Sequence, residues 1–69
     1  MNEAAALEAV ERIVNRGGEP QQVVHAVVAA LRERGFDATV ADGSLRIPAA
    51  DVAFAARVAT LVSPYTARL

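Results

Sequence analysis

The sequence has no cysteine, lysine or tryptophan, one histidine, one tyrosine and two phenylalanines. Each shortage excludes something. Without cysteine there is no disulfide framework, thiolate metal site or thiol nucleophile. Without lysine there is no P-loop lysine and no Schiff-base chemistry, and no GxxxxGK[ST] or GxSxG pattern occurs. Glu8, Glu11, Arg32 and Arg57 interrupt every apolar stretch before it reaches the roughly eighteen residues of a membrane span. The few aromatics leave a small core to be built from aliphatic residues. With a net charge of −1, no long-range field draws in nucleic acid or an anionic membrane surface.

What is present is a 69-residue chain that is 54 % apolar, with alanine supplying 16 of those residues. Such a length makes one domain, 1–69, near the lower limit for a single hydrophobic core. The opening MNEAAALEAVER carries Glu3, Glu8 and Glu11, which does not fit a signal or transit peptide, so a cytoplasmic protein is expected.

Local signals order the elements. Asn2 is placed to cap a first helix, with Glu3 at the positive end of its dipole. Gly17-Gly18 should end that helix near Asn15–Arg16. Pro20 suits the first turn of a second helix, running to about Arg34, with Val24, Val27, Val28 and Leu31 inward and Gln22, His25, Ala29 and Glu33 outward. Gly35 then stands at the left-handed stop, with Phe36 folding back on Leu31. Asp37–Ala41 and Ser44–Ile47 alternate around Asp42-Gly43, a two-residue hairpin signal, which puts Ala38, Val40, Leu45 and Ile47 on one face. Pro48 closes the ladder. A third helix should start near Ala49–Asp51 and end at Ser63-Pro64, leaving Tyr65–Leu69 as a tail or short turn. The expected fold is α+β, in the order helix-helix-β-hairpin-helix (α-α-β-β-α), with the helices packed on a small antiparallel hairpin.

Two of these helices carry more apolar surface than one small core needs. Ala5, Ala6, Leu7, Ala9, Val10, Ile13 and Val14 cover roughly 200° of the first helix, where about 100° suffices. Val52, Ala55, Ala56 and Ala59 extend the Phe54, Val58, Leu61 and Val62 stripe of the third in the same way. The second helix reads as ordinarily amphipathic. The excess predicts an interface made of Leu7, Val10, Ile13, Val14, Val52, Ala56 and Ala59.

The segments LEAVERIVNRGGEPQQVVHAVVAALRERGFDATVAD (Leu7–Asp42) and DVAFAARVATLVSPY (Asp51–Tyr65) resemble the opening and closing parts of a GAF domain. Together they span about three quarters of the chain. The resemblance implies two helices, a first strand and a last helix, with the terminal helices associating as a dimer bundle. It also marks a departure. The middle strands that line the family's ligand pocket are replaced by one turn and SLRIP, so no cofactor is implied. The cysteine-based methionine sulfoxide reduction of some relatives is excluded as well.

No residue pattern points to catalysis. His25 falls on the polar side of its helix with no second histidine or paired carboxylate to act with it. Gly17-Gly18 precedes a helix N-terminus, but Glu19 would repel a phosphate there. The function expected is a non-enzymatic, homodimeric interaction module in a regulatory or signalling setting, with no metal and no cofactor. Two other readings remain open. In a winged-helix DNA-binding regulator Gln21, Gln22, His25 and Arg32 would face the duplex, against which Glu19 and Glu33 argue. In a docking or antitoxin-like protein the apolar faces would meet a different chain.

Overall fold

A computed structural model describes residues 2–69. The order is α1 (Glu3–Arg16), α2 (Pro20–Glu33), β1 (Thr39–Ala41), β2 (Ser44–Arg46) and α3 (Val52–Thr66). This is the expected α-α-β-β-α arrangement.

The caps explain where the helices start and stop. Asn2 Oδ1 accepts from the Ala5 N–H at 3.0 Å, and one Asp51 oxygen accepts from Ala53 and Phe54 at 3.1 and 3.2 Å. Both satisfy amide groups that the first turn of a helix leaves free. At the end of α2 the Phe36 N–H donates to the Leu31 carbonyl and the Gly35 N–H to the Arg32 carbonyl, each at 3.0 Å. Gly35 has φ +88°, so this is a Schellman stop that returns Phe36 to the core.

The hairpin is shorter than the alternation suggests. The Ala38 N–H donates to the Phe36 carbonyl, and the Ala38 carbonyl accepts from Arg32 Nε at 3.0 Å. Pairing therefore begins only at Thr39, in the register Thr39↔Arg46, Val40↔Leu45, Ala41↔Ser44. Asp42 (φ +54°) and Gly43 (φ +74°) both adopt left-handed geometry, the type I′ turn that matches the twist of paired strands. Ala38, Leu45 and Ile47 are buried and Val40 is half-buried, so the expected face does turn inward.

The third helix corrects the sequence reading. It does not stop at Ser63-Pro64 but runs through Pro64 to Thr66. Proline has no N–H for the Thr60 carbonyl, and Ser63 Oγ donates to that carbonyl instead, at 3.2 Å. The extra turn is then held by burial of Thr66 and by Tyr65, whose hydroxyl donates to the Val14 carbonyl at 3.3 Å.

Three ties fix the helix directions. The Asp51 N–H donates to Glu3 Oε2 at 3.4 Å, Arg57 lies 3.7 Å from Glu11, and Tyr65 reaches Val14. The starts of α1 and α3 are therefore together, and so are their ends. These two helices run parallel, with α2 antiparallel to α1 after the short Gly17-Gly18 link, and α3 also lies along β2. Val10, Val27, Leu31, Val58 and Val62 are the largest fully buried side chains. Each contributes about 1.5–3 kcal/mol by leaving water. Phe36 and Phe54 stack at 5.0 Å between ring centroids, joining the end of α2 to the start of α3.

Candidate interaction surface

The seven residues expected to form one interface divide between the core and three separate surfaces. Val10 is a correction. It is fully buried in the protomer and joins the core, because α2 and α3 close over the middle of α1 from both sides. Ile13 is half-buried on the α2 side, where it lines a small cleft of about 170 Å³ with Arg16, Gly17, Gln22, Val23 and Ala26.

Leu7 and Val14 lie on the other shoulder. Glu3, Leu7, Glu11 and Val14 form one helical line, and Glu3, Glu11 and Val14 each meet α3. Leu7 and Val14 pack against the core and are half-buried. Much of the apparent apolar excess of α1 is therefore absorbed by its two helical neighbours.

Val52, Ala56 and Ala59 form the third surface. They share a line with Ser63, at spacings of four, three and four residues, turned away from the buried Val58 stripe. Val52 is 83 % exposed, Ala56 is exposed and Ala59 half-buried. No charged residue stands on this line; Arg57 belongs to the stripe that faces α1.

A fourth surface was not legible beforehand. An open groove of about 660 Å³ runs between α2, β1 and the end of the chain. Val24, Val28, Val40 and Leu69 give it apolar walls, and Glu19, His25 and Arg68 stand at its rim. The signal that could have revealed it is the doubling of valine at 23-24 and 27-28. One member of each pair must leave the α1-facing stripe, and Val24 and Val28 leave it toward the hairpin. Helix α2 is thus wider in its apolar arc than an ordinary amphipathic reading allows.

The backbone beside this groove has a definite pattern. A two-residue turn makes Ala41↔Ser44 the hydrogen-bonded pair, so Val40 and Leu45 face each other without bonds between them. The N–H and C=O of Val40 point away from β2, on the free edge of the sheet. The next outward-facing groups on this edge, at Ala38, are already occupied by Phe36 and Arg32. Arg32, one of the residues a DNA-recognition helix would present, is thereby folded onto the hairpin.

His25 is exposed at the groove rim. Among the described residues no group of three or more histidine, aspartate or glutamate side chains comes together as a metal site. Among the described residues no helix is long and apolar enough to cross a membrane. No family model, curated protein or solved structure matches the chain.

Proposed function

We propose that this chain is a non-enzymatic interaction module that self-associates as a homodimer, with the outer line of α3 as its seam. The observation that carries this reading is Val52. It stands 83 % exposed at the head of a helix whose outward line, Val52, Ala56, Ala59 and Ser63, is uncharged. Small side chains at this spacing let two helix backbones approach closely, and a contact of one face with its own copy is self-complementary about a two-fold axis. The resemblance to GAF domains supports the same use of the closing helix, and it motivates a regulatory or signalling role. Leu7 and Val14 would contribute as a flank beside α3 rather than as the seam.

Sedimentation at micromolar concentration tests the proposal. The unmodified chain should sediment as a dimer, Val52→Asp as a folded monomer, and His25→Ala as a dimer. An unmodified chain that is monomeric at these concentrations overturns it.

A further inference from the structure

The free edge of β1 presents one unsatisfied pair of backbone groups, at Val40, beside an apolar groove. A hairpin of three-residue strands is a marginal unit, and such edges readily accept another strand. Which strand fits is decided by charge. If β1 is set antiparallel to a copy of itself with Val40 opposite Val40, the two valines exchange both N–H···O bonds. Ala38 then stands opposite Asp42 of the copy. Arg32 is held at that point by its Nε bond to the Ala38 carbonyl, at 3.0 Å, and its remaining guanidinium nitrogens have no ion-pair partner among the described residues. Asp42 is exposed at the hairpin tip and is likewise unpaired.

We infer that β1 pairs edge to edge with β1 of a second copy across a two-fold axis at Val40, with Arg32 of each chain meeting Asp42 of the other. The hairpins become a four-stranded sheet, and Val24 and Val28 of the two α2 helices face each other across the groove. The symmetry places opposite charges together twice; the same edge offered to an unrelated strand would leave Arg32 and Asp42 unmatched. Only two backbone bonds and two ion pairs close the contact, so it is weaker than a helix seam. It forms toward millimolar rather than micromolar concentration. It also uses a different element from the α3 seam, and two distinct self-complementary contacts on one chain build a closed tetramer or an open array.

The test is made on the Val52→Asp chain, so that the α3 seam does not contribute. A sample mixed from isotope-labelled and unlabelled protein is examined by NMR near millimolar concentration. In the inferred register Thr39 is opposite Ala41 of the copy in a non-hydrogen-bonded pair, where the α-protons are close. An inter-chain signal between these α-protons is expected, together with concentration-dependent protection of the Val40 amide. Asp42→Asn, which keeps a side chain tolerant of left-handed geometry, should weaken association by about 3- to 30-fold through the two lost ion pairs. Combining it with Arg32→Gln should cost little more than either change alone, the mark of a shared interaction. A chain that stays monomeric at millimolar concentration overturns the inference. So does an associated chain that lacks the Thr39–Ala41 signal, as would occur if the groove took a different segment. Neither result bears on whether unmodified protein dimerises through α3 at micromolar concentration.

Discussion

The Tyr65 hydroxyl donates to the Val14 carbonyl at 3.3 Å, joining the last turn of α3 to the last turn of α1 across 51 residues of sequence. Tyr65 is half-buried, and its hydroxyl also lies 3.8 Å from where a side chain on Gly17 would begin. The bond therefore sits where α1 ends, and it helps hold the turn beyond Pro64.

Tyr65→Phe keeps the ring and removes this donor. It should lower stability by about 0.5–1.5 kcal/mol, the usual net value of one such bond. Urea denaturation checks this, with an unchanged slope showing that only the native contact was lost.

Pro64 stands inside α3, where a proline forgoes one backbone bond. Its side chain is exposed, so replacement opens no cavity. Pro64→Ala should raise stability by about 1–3 kcal/mol, less than the full penalty if Ser63 already satisfies the Thr60 carbonyl. In the Pro64→Ala background, Ser63→Ala should then be close to neutral. A thermal melt of the three variants reads both effects.

Val10→Asp separates burial from interface. Val10 is fully enclosed in the protomer, so a carboxylate there has no partner and no water. The variant should lose its cooperative melt at every protein concentration. A protein that stays folded with only its association weakened would show that Val10 is a surface residue after all. Circular dichroism across a dilution series makes the distinction.

Asp51 caps α3 through two amide bonds, and its own N–H is tied to Glu3. Asp51→Ala should cost about 0.5–2 kcal/mol, whereas Asp51→Asn, which retains an oxygen at the same place, should cost little. Equal losses in both variants would assign the effect to charge instead of to the cap. Denaturant midpoints decide between them.

The elements were legible because their signals are local. Asn2, Pro20, Gly35, Asp42-Gly43 and Asp51 each act on residues within a few positions, so short stretches of sequence place the helix starts, the end of α2 and the hairpin turn. Val10 was misread for the opposite reason. Its helical phase says only that it shares a face with Leu7 and Ile13, and whether that face meets water or a neighbour depends on how two distant helices close over it. Pro64 was misread because the signal against a helix is local, while the contacts that keep the helix going come from Val14 and from the packing around Thr66. The groove escaped notice since it needs α2, β1 and the end of the chain at once.

The sequence by itself determined the order α-α-β-β-α, the hairpin turn and the inward face of the strands, since capping, turn geometry and side-chain alternation are properties of neighbouring residues. Only the tertiary structure decided how much apolar surface was left over. Placing α1 parallel to α3, with α2 against both, buries Val10 outright and half-covers Leu7, Ile13 and Val14. That leaves Val52 exposed at the head of a charge-free line on α3, and Val40 with its backbone open on the hairpin edge. The reason is that burial belongs to pairs of elements and not to either one: a stripe becomes core or surface only when its neighbour is in place.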